Sequence, residues 1–198
     1  ATVGVVGAGV IARTVCRYLD AAGVSLADVR CHDLDEPSAA ALTAQLRDRH
    51  GAGARTVSLT EALDCDLVVL ATTAPKPYVP ADHAFGPGQL VLNISLRDLA
   101  PETLLRADNV LDDVDHCLKA NTSPHLAEQL TGGREFVTGT LAGVISGQVR
   151  LTPGKATVFS PFGLGVLDLA VGHHLHHRAR QTGRLLDVPE FFGETRRW

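Results

Sequence analysis

Two glycines, a small residue behind them and a distant carboxylate carry the clearest chemistry in this sequence. Gly7-Ala8-Gly9-Val10-Ile11-Ala12 reads G-x-G-x-x-A. In that pattern the first glycine permits a tight turn and the second lets a pyrophosphate approach the backbone. The small sixth residue lets a helix pack closely on a strand, and the helix N-terminus offers unpaired N–H groups to the anion. Asp33 stands where a carboxylate can accept hydrogen bonds from an adenosine ribose, roughly 20 or more residues on. A carboxylate there repels a 2′-phosphate, so NAD is favoured over NADP. A glycine pattern alone is also compatible with a plain tight turn. With a strand before it, a helix after it and Asp33 in place, it reads as a nucleotide site.

A second group falls at the ends of later strand-like runs, Thr72-Thr73-Ala74 and Asn93-Ile94-Ser95-Leu96-Arg97-Asp98. Open parallel sheets bind ligands outside the carboxyl ends of their strands. Thr, Asn, Ser and Asp also favour loop starts, so turn chemistry is the alternative. A third group is His173-His174-Leu175-His176-His177. His173 and His177 are one helical turn apart, but no carboxylate or cysteine is offered at matching spacing and Asp168 lies on a different face. An exposed polar face, without a metal, is expected.

The elements that must position these residues follow from the apolar pattern. Val3 to Val6 is a short β-branched run ending at the glycine turn, and Val10, Ile11, Val15, Tyr18 and Leu19 then recur at helical spacing up to Gly23. Further strands are expected over Asp28 to Asp33, Thr56 to Leu59, Asp66 to Ala71, Gln89 to Ile94, Asn109 to Leu111 and Ala156 to Ser160. Helices are expected over Ser38 to Arg49, Thr60 to Leu63, Asp115 to Ala120, Pro124 to Thr131, Leu141 to Gly147 and Leu164 to Thr182. Strands separated by helices predict an α/β fold, a Rossmann-type doubly wound parallel sheet with a C-terminal helical extension. The alternation weakens after about residue 113, and the division expected is a dinucleotide-binding domain over 1–150 and a C-terminal segment over 151–198.

Composition bounds the rest. The 198 residues are 45% hydrophobic and 20% charged, enough for an ordinary core. With 18 basic and 22 acidic side chains the net charge is −4 and no basic tract exists, so nucleic acid is not an expected partner. The longest uncharged apolar run, Val158 to Leu167, is broken by Ser160, Pro161, Gly163 and Gly165 and falls short of the roughly 18 residues of a membrane span. Cys16, Cys31, Cys65 and Cys117 lack CxxC spacing and read as reduced thiols. With no basic n-region before Val3, a cytoplasmic protein is expected. There is no methionine, so Ala1 is not a retained start residue.

The segments GAGVIA, DLDEPSA, LVVLATTAPKPYV, LNISLRDLAPETL, NVLDDVDHCLKANTSPHLAEQ, FVTGTLAGVISG and SPFGLGVLDLAVG resemble the ornithine cyclodeaminase/mu-crystallin family over essentially the whole chain. The last four resemble its branch of dehydrogenases that release 2,3-diaminopropionate for siderophores and peptide antibiotics. The resemblance puts the dinucleotide turn on Val10 and Ile11 and the ribose acid on Asp33. It puts a strand-end cofactor threonine on Thr72, beside Thr73, and the nicotinamide-side segment on Asn93 to Leu96, including Ser95. It also puts a nicotinamide-contacting serine on Ser160, with Pro161 beside the substrate, and a catalytic aspartate on Asp98. The P-G-K loop that follows this aspartate in cyclodeaminases is absent.

The implied reaction is NAD-dependent oxidation of a small amino-acid conjugate of glutamate and diaminopropionate, followed by hydrolysis. Ornithine cyclisation, alanine dehydrogenation, ketimine reduction and non-catalytic dinucleotide binding, as in crystallins, are the alternatives. The family's preceding substrate and dimer domain is not represented, so the resemblance implies that the segment 151–198 completes a split substrate domain and that the chain is a truncated part of a homodimeric parent, inactive by itself.

Overall fold

Val3–Val6 and Leu67–Leu70 are buried at every position. Such unbroken runs form strands where both faces of a sheet are covered. The computed structural model describes residues 1–50, 53–189, 191 and 193 and divides them into two compact units, Ala1–Phe162 and Gly163–Trp198. In the first unit, β1 (Val3–Val6), α1 (Val10–Ala21), β2 (Val29–His32), α2 (Glu36–His50), β3 (Ala54–Thr56), α3 (Leu59–Leu63) and β4 (Leu67–Leu70) form one half of the alternation. The other half comprises β5 (Leu90–Asn93), α4 (Pro101–Leu104), β6 (Asp108–Leu111), α5 (Val114–Cys117), α6 (Ser123–Thr131), β7 (Val137–Thr140), α7 (Leu141–Ile145) and β8 (Thr157–Ser160).

The eight strands make one sheet in the order β3-β2-β1-β4-β5-β8-β6-β7, with every pairing parallel. The direction of winding reverses between β1 and β4, the switch point at which open α/β sheets leave a crevice for a ligand. Successive strand residues face opposite sides. Val3 and Val5 accordingly pack with Ala12 and Cys16 of α1 and Leu42 and Leu46 of α2. Val6, Val68 and Leu70 pack with Ala62 and Leu63 of α3, Leu104 of α4 and Ala127 of α6. The sheet is therefore covered on both faces.

β8 lies between β5 and β6, pairing Leu90 with Thr157 on one side and Asp108 with Thr157 on the other. A boundary at 150, expected from the weakening alternation, thus falls inside the first unit, because the last strand is an interior strand of its sheet. Two local expectations also change. The third strand runs over Ala54–Thr56 and stops there because Ser58 caps α3, its hydroxyl accepting from Glu61 N–H while Glu61 reaches back to Ser58 N–H. β7 and α4 carry no period long enough to be read from sequence. Val137–Thr140 is only half-buried, as an edge strand, and α4 is a single turn started by Pro101.

The second unit contains α8 (Gly165–Gln181), which has no buried side chain and leaves Val166, Leu167, Leu169, Val171 and Leu175 exposed.

Candidate functional site

The turn after β1 has the geometry its glycines require. Gly7 has φ +90°, and a Cβ there would collide with the carbonyl of Ala71 at the end of β4, so the first glycine is fixed by the protein itself. Gly9 differs. Its φ is an ordinary −73°, and a Cβ would meet nothing. The space above it is open, which leaves room for a ligand to approach the backbone.

α1 begins at Val10 with no side-chain cap and no acidic residue in its first turn, so its leading N–H groups and the positive end of its dipole are available to an anion. Val10 and Ile11 are 78% and 55% exposed. Asp33 binds this turn directly: its Oδ2 accepts Ala8 N–H at 2.6 Å and its Oδ1 accepts Asp35 N–H at 2.9 Å. A carboxylate has about four acceptor positions, so capacity remains for ribose hydroxyls.

Across the switch point, the ends of β4 and β5 are joined by side chains. Thr72 N–H donates to Ser95 Oγ at 2.6 Å, and Ser95 N–H donates to Leu70 O at 3.0 Å. Thr72 Oγ1 donates to Asp98 Oδ1 at 2.8 Å and the Tyr78 hydroxyl donates to Asp98 Oδ2 at 3.0 Å, while the N–H groups of Tyr78 and Val79 donate to Asp98 O. Asp98 is fully buried. Burial, and then the charge of Asp98, pushes the Tyr78 phenol up from its usual range, so it remains a donor. Thr73 is exposed in the same turn.

Because β8 inserts beside β5, Ser160 comes opposite Asn93, whose Nδ2 donates to Ser160 Oγ at 3.0 Å. Asn93 is 1% exposed, and its Oδ1 has no partner. A buried amide oxygen left unpaired costs stability unless a ligand or water supplies the donor. Asn93, Ser95, Cys117, Ser160, Pro161 and Phe162 contribute to the walls of a small open cleft, and among the described residues no charged side chain lines it. Asp98 is not part of that lining; Thr72, bonded to Asp98 by its hydroxyl and to Ser95 by its N–H, links the carboxylate to a residue that is.

The fold therefore brings Gly7, Gly9, Val10 and Ile11 at the end of β1 together with Asp33 at the end of β2. It ties Thr72, Ser95 and Asp98 together beyond the ends of β4 and β5, and joins Asn93, Ser95, Ser160 and Pro161 in one cleft. Tyr78 and Cys117 were not legible as site residues, since neither sits in a spaced pattern. Burial, followed by a hydrogen bond to Asp112, pushes the Cys117 thiol up to about 12, so it is a protonated wall residue rather than a nucleophile. On α8, His177 is engaged with Gln181 at 2.8 Å, and among the described residues no three metal-ligating side chains come together.

A parallel sheet with a glycine turn, an uncapped helix and a carboxylate at its switch point defines a Rossmann-type dinucleotide-binding fold. Residues 1–183 match the ornithine cyclodeaminase/mu-crystallin family, and the chain belongs to that family. It is 27% identical over 167 residues to an alanine dehydrogenase of Archaeoglobus fulgidus, spanning 78% of this chain and 49% of that protein. It is 23% identical over 120 residues to the N-((2S)-2-amino-2-carboxyethyl)-L-glutamate dehydrogenase of Staphylococcus aureus, spanning 59% of this chain and 35% of that one.

Among solved structures, Δ1-pyrroline-2-carboxylate reductase of Thermococcus litoralis, in complex with NADH and L-proline, superposes with a TM-score of 0.85. The identity is 22%, covering 94% of this chain and 60% of the other. An archaeal alanine dehydrogenase dimer with NAD bound gives 0.79 at 23% identity, covering 96% and 61%. The chain thus spans about half the length of the first curated relative. Among the described residues no helix is long and apolar enough to cross a membrane.

Proposed function

We propose that this chain is the NAD-binding part of a dehydrogenase acting on the CH–NH bond of an amino-acid substrate, and that residues 163–198 belong to a substrate domain completed elsewhere in a homodimeric parent. The observation that carries the reading is the turn at Gly7–Ile11. Its helix end lacks a side-chain cap, its second glycine is open, and Asp33 is bonded to its backbone. These residues fit a dinucleotide. Val10 and Ile11 N–H groups would hold the pyrophosphate, Asp33 the adenosine ribose, and Asn93, with its unpaired Oδ1, and Ser160 the nicotinamide side. Thr72, Thr73 and Ser95 form the intervening edge, and Pro161 faces the substrate. The exposed apolar residues of α8 are the kind a completed substrate domain would cover.

The substrate proposed is N-((2S)-2-amino-2-carboxyethyl)-L-glutamate. NAD, when bound, supplies the acceptor for the hydride that leaves the glutamyl Cα. Water then adds to the C=N bond of the oxidised substrate, and cleavage of the resulting C–N bond releases 2-oxoglutarate and 2,3-diaminopropionate. Asp98 handles the proton of the amine or of the attacking water through the hydroxyl of Thr72, a hydrogen-bonded path of ordinary acid–base character. Alanine dehydrogenation is the second reading, favoured by the longer match to the Archaeoglobus protein.

Calorimetric titration of this chain with NADH and NADPH tests the cofactor assignment. NADH binding in clear preference to NADPH supports it, and binding of neither removes it.

A further inference from the structure

Asp112 follows β6 and does not line the cleft, yet it is bonded to the residues that do. Both of its carboxylate oxygens accept the Phe162 N–H, at 3.1 and 3.0 Å, and its Oδ1 also accepts Asp113 N–H at 2.8 Å and the Cys117 thiol at 2.9 Å. The Cys117 sulfur lies 3.3 Å from the carbonyl oxygen of Ser160, a second acceptor for the same thiol. One carboxylate therefore ties Phe162, and with it the Ser160–Pro161–Phe162 segment, to Cys117, and all four residues line the same cleft.

The chain chemistry explains why the tie falls on Phe162. The ladder between β6 and β8 ends at Leu111 and Ser160. Pro161 has no N–H to donate, so the first main-chain donor beyond the sheet is that of Phe162. Asp112 meets it one residue past the end of β6. Capping is not its task, because the neighbouring Asp113 caps α5 by accepting from His116 N–H at 2.8 Å.

We propose that Asp112 is a positioning residue for the nicotinamide half of the cofactor site: it holds the Ser160 hydroxyl and the Pro161 ring opposite Asn93 without touching the ligand. This rests on the dinucleotide reading above.

The test compares NADH with ADP-ribose, which carries the adenosine and pyrophosphate but no nicotinamide, by calorimetry on wild-type chain, Asp112→Ala, Asp112→Asn and Asp113→Ala. Hydrogen bonds to a charged group are strong enough that their loss should lower NADH affinity about tenfold or more in Asp112→Ala, with ADP-ribose affinity held within about twofold. Asp112→Asn keeps one acceptor oxygen and should fall between wild type and Asp112→Ala; it also serves if the alanine variant does not fold. Asp113→Ala removes a cap one residue away and should leave the NADH to ADP-ribose ratio unchanged. An unchanged ratio in Asp112→Ala and Asp112→Asn, or a ratio that falls equally in Asp113→Ala, overturns the proposal while leaving the cofactor reading intact. Failure of the wild-type chain to bind either ligand overturns both.

Discussion

Replacing Asp33 by Ala separates two consequences of one carboxylate. Its Oδ2 accepts Ala8 N–H at 2.6 Å, and Ala8 is 1% exposed, so truncation leaves a buried donor unsatisfied at a cost of about 1–3 kcal/mol. That loss distorts the glycine turn and should weaken any dinucleotide. The lost hydrogen bond from ribose hydroxyl to carboxylate removes a further interaction of about 1.5–3 kcal/mol, or about 10- to 100-fold in affinity, and this second term applies to NADH alone.

For NADPH the sign is opposite. Two unit negative charges about 4 Å apart repel by about 4 kcal/mol at an effective dielectric near 20 and by about 1 kcal/mol in water; Asp33 is half-buried, between those limits. Asp33→Ala should therefore bind NADH at least about tenfold more weakly while the NADH to NADPH preference shrinks by a comparable factor. Calorimetry with both cofactors on the same preparation reads the two terms separately. Unchanged NADH affinity, or equal weakening of both cofactors, would refute the assignment of Asp33 to the ribose.

Gly7→Ala should lower the melting temperature, because φ +90° and the Ala71 carbonyl both oppose a Cβ, whereas Gly9→Val should melt like wild type and lose NADH affinity; equal melting temperatures for the two variants would contradict the division of roles. Asp98→Asn in the full-length parent should retain NADH binding and lose most turnover, and near-wild-type turnover would exclude Asp98 from proton handling.

Burial pushes the thiols of Cys16 and Cys117 up to about 12 from an ordinary 9.0. The folded state therefore holds those protons after the unfolded chain has released them. Their contribution is fully present below pH 9 and is lost as pH rises from about 9 to about 12. Denaturant titrations should show stability falling across that window, less steeply in a Cys16→Ala/Cys117→Ala variant; identical slopes would refute the contribution. The isolated chain should also release no NADH from the glutamate conjugate, and steady NADH production by it would show that no further part of the parent is needed.

The legible parts of the molecule are those whose signal is local. β1, β4 and β5 are apolar runs bounded by turn residues, and Gly7, Gly9 and Asp33 sit at spacings that a strand, a turn and a helix impose. The illegible parts depend on pairings far apart in sequence. Nothing local in Thr157–Ser160 says that it inserts between β5 and β6, yet that insertion puts Ser160 against Asn93, 67 positions away, and creates the cleft. Tyr78 sits in a proline-flanked loop without periodicity, and only the buried carboxylate of Asp98 gives its hydroxyl a role. Asp112 reads as one of several acidic residues in a turn until Phe162 is seen at its oxygens. Asp98 stood in the strand-end group that the spacing itself picked out, whereas Ser160 entered only through the resemblance to the family.

The central claim is that the parent enzyme oxidises a CH–NH bond with NAD, and product analysis tests it most directly. The full-length parent, incubated with NAD and N-((2S)-2-amino-2-carboxyethyl)-L-glutamate, should yield equal amounts of NADH, 2-oxoglutarate and 2,3-diaminopropionate by mass spectrometry, and should leave ornithine and alanine untouched. Pyruvate and ammonia from alanine, with no 2-oxoglutarate from the conjugate, would move the protein to the alanine dehydrogenase reading. No NADH from any of the three amino-acid substrates would contradict the account.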